Sequence, residues 1–294
     1  MIDRTEPARG IVAGVGGNPA TLRAIRWAAR EAGRRHLSLD LVQVLPPSHD
    51  DHVLRAPQGR ARALLERGRQ VAAASAPDVP VRLSVVTGVA GPALVHVADR
   101  AELLVLGSRA AAGDLDLTAG RIDAHAIGHA TCPVVLVPQI WNPHAAHSGL
   151  VLVHVEGTSE SVGAVAFAAD VAERWQVALE AVAVGTRRGS EADEQVYRQR
   201  LADALAGATD RHPSLALHKA VLWGNEAEAI LQRSRRHARL IVLCSRGHGA
   251  LTASFLGATT QAVVRMASCP TAVLPPEVAK AWTSRKVGQV KEGA

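Results

Sequence analysis

Leu103-Leu104-Val105-Leu106-Gly107-Ser108-Arg109 and Leu240-Ile241-Val242-Leu243-Cys244-Ser245-Arg246 are two versions of one segment, 137 residues apart (244 − 107) in a chain of 294. Each is a short aliphatic run stopped by a polar turn, the pattern of a strand buried on both faces, as in a parallel sheet covered by helices. Working outward, Gly120 and Gly257 share that offset, as do Cys132-Pro133 and Cys269-Pro270, which open the last apolar runs at 134–138 and 271–275. Nearer the start of each half the offset is 140 (167 − 27). Trp27-Ala28-Ala29 there answers to Phe167-Ala168-Ala169, and Gly-Ile-Val-Ala-Gly-Val-Gly-Gly-Asn at 10–18 to Leu-Val-Leu-Val-His-Val-Glu-Gly-Thr at 150–158. Recurrence in the same order identifies a duplication.

Within the first half, strand patterns at 11–15, 39–45, 81–86, 103–107 and 134–137 alternate with helical patterns at 21–35, 55–74, 92–100 and 122–130. Five strands joined by right-handed helical crossovers make a parallel, doubly wound sheet. The expected fold is therefore α/β: two tandem doubly wound parallel five-stranded sheets with helices on both faces. Gln139 to Ser148, with Pro143 and no period, reads as the linker between a domain at 1–140 and another at 149–276. Residues 277–294, where Lys280, Arg285, Lys286 and Lys291 fall outside any apolar period, read as a flexible basic tail.

With 48% apolar residues but only two Phe, one Tyr and two Met, the cores must be aliphatic. The net charge of +6 is spread over single arginines without interleaved aromatics, a solvated surface rather than a nucleic-acid patch. Three cysteines in no CxxC spacing point to a reducing compartment. The first residues, Met1 to Pro7, lack the character of a secretory leader, and no apolar run reaches the roughly 18 to 20 residues of a membrane span. A cytoplasmic protein is expected. His125 and His129 share a helical face near Cys132, but thirteen histidines are dispersed and the second half has no matching pair, so no metal site is assigned. Walker A is absent, and Ser108 and Ser245 lack the leading glycine of a nucleophile elbow; efficient NTP hydrolysis is not expected, and a weak ATPase or hydrolase is the remotest alternative.

In a doubly wound sheet, ligands bind at the carboxyl ends of the strands flanking the reversal of chain order, here the turns after the first and fourth strands of each half. Those turns hold the glycines: Gly16-Gly17 and Gly107 to Gly120, then Gly157 and Gly247 to Gly257. Glycine lets backbone N–H groups approach an anion, and a helix starting just after Gly120 or Gly257 aims its positive end at the same place. In a βα turn it equally serves conformation alone.

Over both halves the chain resembles the universal stress protein family, carried by the Gly-Ser-Arg turn, the spaced glycine and the Cys-Pro strand ending. The resemblance implies an adenine nucleotide alpha hydrolase-like fold. Its nucleotide-binding members show Val-Asp-Gly-Ser after the first strand, and later Gly, two residues, Gly, nine residues, Gly, then Ser or Thr, which cradles ATP. In the second half Glu156-Gly157 stands for Asp-Gly, Cys244 for the first glycine, Gly247 and Gly257 for the others, and Ala258 for the hydroxyl residue. Ser245, Arg246, Thr259 and Thr260 complete that candidate site, with Val184 as the adenine wall. In the first half Gly16 replaces the acid, Gly17 and Asn18 follow, Gly107 and Gly120 are kept, Ala110 replaces the middle glycine and Arg121 the hydroxyl residue, while Asp123 would repel phosphates. Val44 is the corresponding wall and Arg109 recurs with Arg246. The resemblance thus implies an adenine nucleotide, ATP with or without Mg2+, bound mainly by the second half. It also implies self-association of paired domains through their last, edge strands at 134–137 or 271–274, within the chain, between chains or both, and an unknown regulatory protein partner. A nucleotide-free interaction module of the same fold is the alternative.

Overall fold

Strand and helix alternate along the whole described chain, which in this computed structural model comprises residues 10–47, 51–108, 117–142, 149–245 and 257–284, with backbone only at 51–56 and 117–121. The first half contains β1 (Ile11–Gly14), α1 (Pro19–Arg35), β2 (Leu39–Leu45), α2 (Asp51–Ser75), β3 (Val81–Thr87), α3 (Ala90–Val97), β4 (Leu103–Ser108), α4 (Leu117–His129) and β5 (Val134–Pro138). The second contains β6 (Leu150–His154), α5 (Ser159–Trp175), β7 (Leu179–Gly185), α6 (Glu191–Arg211), β8 (Leu217–Trp223), α7 (Glu226–His237), β9 (Ala238–Cys244), α8 (Ala258–Met266), β10 (Thr271–Leu274) and α9 (Pro276–Ser284). No helix among the described residues is long and apolar enough to cross a membrane.

The chain forms two compact units, residues 1–145 with 264–273, and 146–263 with 274–294. In the first, the parallel order is β3-β2-β1-β4-β5, so the chain order reverses beside β1. In the second the parallel order β9-β6-β7-β8 puts the reversal beside β6. The central strands carry uninterrupted apolar runs, Ile11 to Ala13, Leu103 to Val105 and Val151 to Val153 being fully buried, as strands covered on both faces must be.

Helix ends repeat at the 140-residue offset as well. Asn18 caps α1 by accepting from the Thr21 N–H at 3.0 Å, with Pro19 preset for the first turn. His36 and Gln176, both at φ 54°, close α1 and α5 in the left-handed region. A buried acid recurs too: Asp40 on β2 takes a bidentate bridge from Arg82 at 2.6 and 2.9 Å, and Glu180 on β7 takes one from Arg233 of α7.

Two expectations need correction. The 277–294 segment is not a uniformly flexible tail, because residues 276–284 form α9. Val278, Ala279 and Trp282 are buried on one side of it, and Trp282 meets Phe167 of α5 edge-on at 5.1 Å. Gly163 permits the close approach, since a Cβ there would lie 1.8 Å from the Ala279 carbonyl oxygen. The three apolar residues span barely one turn, too short a stripe to register as a period. Nor are 134–137 and 271–274 open edges: within the first unit β10 runs antiparallel to β5, Thr271 opposite Leu136 and Val273 opposite Val134. Each strand satisfies the other's backbone groups, removing the template for edge pairing.

Candidate functional site

The turn after β6 is built by a hydroxyl that sequence inspection passed over. Ser161, in the first turn of α5, accepts from the Glu156 N–H at 3.1 Å and lies 3.3 Å from the Thr158 hydroxyl. The first unit repeats this with Thr21, which accepts from the Gly16 N–H at 3.3 Å. Thr21 and Ser161 share the 140-residue offset (161 − 21), so internal alignment could have found them. Gly157 sits at φ +84°, a conformation that side chains other than glycine rarely adopt. Its open face is covered by Arg200 of α6, whose Cδ lies 2.9 Å from where a Cβ would be. Arg200 in turn stands over the Tyr197 ring at 5.1 Å, and Tyr197 meets Trp223 edge-on at 5.6 Å. Val184, the expected adenine wall, is half-buried at the end of β7 opposite Leu222, so it is not closed into the core.

Across from that turn, β9 ends at Cys244. The Cys244 thiol is buried and donates to the Glu160 carbonyl at 3.3 Å. Burial, with the Glu156 and Glu160 carboxylates, pushes it far above an ordinary thiol, making it an unreactive packing group. Ser245 is also buried; its N–H donates to the Leu274 carbonyl and its carbonyl accepts from Gly257 N–H at 3.0 Å. The Gly257 N–H expected to face an anion is thus already used. Helix α8 does start immediately after Gly257, and its first-turn N–H groups have no intrahelical acceptor.

The hydroxyls expected to meet a phosphate are both engaged. Thr260 is buried and donates to the Cys244 carbonyl at 2.8 Å, while Thr259 donates to Glu226, the first residue of α7. Glu226 also lies 3.2 Å from Nε2 of His154, an ion-pair distance without hydrogen-bond alignment, and Nδ1 of His154 lies 3.7 Å from Glu156. His154 is 3% exposed. Two carboxylates therefore flank a buried imidazole between the turn after β6 and the start of α8. Arg246 and Gly247 lie outside the described residues.

The first unit is arranged differently. Gly107 packs against backbone, a Cβ there falling 2.6 Å from Ala20 C and 2.7 Å from Thr21 N. Its glycine is required for β4 to approach α1, a role its sequence position did not separate from anion binding. Gly16 and Gly17 border a cleft of about 750 Å3 with a cationic wall of Arg23, Arg26 and Arg67, none of them anticipated. Val44 is half-buried at the end of β2. Contrary to expectation α4 begins at Leu117, so Gly120 and Arg121 fall inside the helix rather than before it. Leu117 and Ala119 favour helix enough to carry a glycine costing about 1 kcal/mol. Arg109 and Ala110 are outside the described residues. His125 and His129 stack ring on ring at 4.3 Å.

Asp123 on α4 is pushed up to about 7 by burial, opposed by a hydrogen bond from Ser108. The folded chain then keeps a proton that the unfolded carboxyl, with an ordinary value of 3.8, has already lost. This contribution to stability is present below pH 4, declines as pH rises from about 4 to about 7, and is absent above. Melting of wild type and Asp123→Asn between pH 5 and 8 should show the wild type losing ground with rising pH. Parallel curves would dismiss Asp123 as the source.

Compared with known proteins, the chain matches the family model described as Universal stress protein family over residues 8–138 and again over 149–275. A universal stress protein of Mycobacterium tuberculosis is 32% identical over 285 residues, covering 90% of this chain and 95% of the relative. One from Mycolicibacterium smegmatis is 27% identical over 288 residues, covering 91% and 97%. Among solved structures, a universal stress protein from Archaeoglobus fulgidus superposes with a TM-score of 0.72 at 16% identity, covering 92% and 97%, a likeness of fold alone.

Proposed function

The chain belongs to the universal stress protein family, and from that premise we propose that it is an adenine-nucleotide-binding regulatory protein of the stress response, cytoplasmic, taking ATP in its second unit with or without Mg2+. The observation that carries this reading is that the Glu156–Gly157 turn after β6 and the start of α8, which Thr260 and Gly257 tie to the end of β9, lie at the carboxyl ends of neighbouring strands where the chain order reverses. Glu156 offers a carboxylate to ribose hydroxyls, half-buried Val184 an apolar surface to the base, and the start of α8 a positive helix end to phosphate. A bound Mg2+ would neutralise phosphate charge beside these acids.

We read the protein as a binder rather than an enzyme. Ser245, which a hydrolase would use as nucleophile, is 4% exposed with its backbone groups engaged. Occupancy would bias association with a regulatory protein partner or a second copy, without using β5 or β10. The second reading, a nucleotide-free interaction module, is favoured in the first unit by the packing role of Gly107.

Calorimetric titration with ATP and Mg2+ tests the proposal. Saturable binding is expected, weakened about tenfold or more in Glu156→Ala, which loses a charged hydrogen-bond acceptor worth about 1.5–3 kcal/mol. No heat and no thermal stabilisation at millimolar ATP would leave the interaction module standing instead.

A further inference from the structure

At the start of α8 the Thr259 hydroxyl is already taken by a carboxylate. Gly224, at φ +118°, turns the chain out of β8, and Asn225 caps α7 by accepting from Glu228 N–H at 3.1 Å. This geometry fixes Glu226 as the first helical residue. Its side chain points back over the strand ends, with one oxygen accepting from the Thr259 hydroxyl and the other 3.2 Å from His154 Nε2. Three separate elements, α7, α8 and the end of β6, thus converge on one carboxylate. The buried His154 Nε2 makes no aligned hydrogen bond and faces the same point. Thr259 has one hydroxyl hydrogen, so it cannot donate to Glu226 and to a phosphate at once.

We infer that Glu226 sets the phosphate selectivity of the second-unit site: its carboxylate stands where a nucleotide's phosphate would meet Thr259 and the α8 N-terminus, and so penalises phosphate charge without affecting the nucleoside. This rests on the nucleotide reading above. A like charge a few ångströms from the phosphates opposes their binding, and an uncharged adenosine feels no such opposition. Glu226 is 37% exposed, so its amide fits without a change in packing.

The experiment titrates ATP and, separately, adenosine into wild type, Glu226→Gln and Thr259→Val, in EDTA so that no divalent cation bridges carboxylate to phosphate. Glu226→Gln should tighten ATP about tenfold or more while adenosine stays within about twofold. Thr259→Val, which keeps the carboxylate, should not tighten ATP. An unchanged ratio of ATP to adenosine affinity in Glu226→Gln overturns the inference and leaves the nucleotide reading intact. Tightening by both variants assigns the effect to Thr259 and also overturns it. If neither compound binds any of the three proteins, the nucleotide reading fails and the inference falls with it. Matching circular dichroism and melting of the three proteins ensures that the comparison is between folded states.

Discussion

Trp282→Ala is expected to lower the unfolding free energy of the second unit by about 3–5 kcal/mol, the range for deleting a large buried aromatic, and Gly163→Val by a comparable amount. The two substitutions attack one contact from opposite sides. Trp282 is 8% exposed, meets Phe167 edge-on and anchors α9 through its last turns. Valine at 163 puts a Cβ 1.8 Å from the Ala279 carbonyl oxygen, and a backbone oxygen has no rotamer in which to retreat. The helices must separate, so the apolar face shared by Phe167, Val278 and Trp282 opens to water. Because the whole stability of a domain is only about 5–15 kcal/mol, either change should shift the denaturation midpoint of the second unit visibly. Unfolding free energies within about 1 kcal/mol of wild type would show that α9 is peripheral.

Arg233→Ala should cost about 3 kcal/mol, near the lower end for stripping a buried carboxylate of its partner. Glu180 is 3% exposed on β7 and takes two hydrogen bonds from the Arg233 guanidinium. The guanidinium side chain is 38% exposed, so water reaches the vacated place and moderates the loss. Adding Glu180→Gln to Arg233→Ala should recover a large part of the stability, since an amide carries no charge to desolvate. A double variant as unstable as the single one would mean that Arg233 acts through its packed aliphatic stem rather than its charge. Urea unfolding of the wild type and both variants distinguishes the two.

Most of the architecture was legible because burial imposes a local period. Leu103 to Leu106 and Leu240 to Leu243 are aliphatic without interruption, which only strands covered on both faces require, and the duplication doubled every signal. The element that escaped, α9, is held by contacts to residues distant in the chain. Val278, Ala279 and Trp282 make less of a stripe than a helix normally shows, and their burial depends on Gly163 lying 116 residues earlier (279 − 163). Within the site, glycine was ambiguous by nature: Gly157 serves a left-handed turn, whereas Gly107 serves a close approach of β4 to α1. Both look alike in a sequence.

By itself the sequence determined that two homologous α/β units follow one another, where their strands lie and which turns stand at the strand ends, because hydrophobic period and repeat offset are properties of residues near one another in the chain. Only the tertiary structure decided which polar groups at those turns are already engaged. Thr259 and Thr260 are adjacent hydroxyls, yet one bonds Glu226, 33 residues away, and the other the Cys244 carbonyl, 16 residues away. A hydroxyl has one hydrogen to donate, and its recipient is settled by which acceptor the packed strands and crossover helices bring within reach.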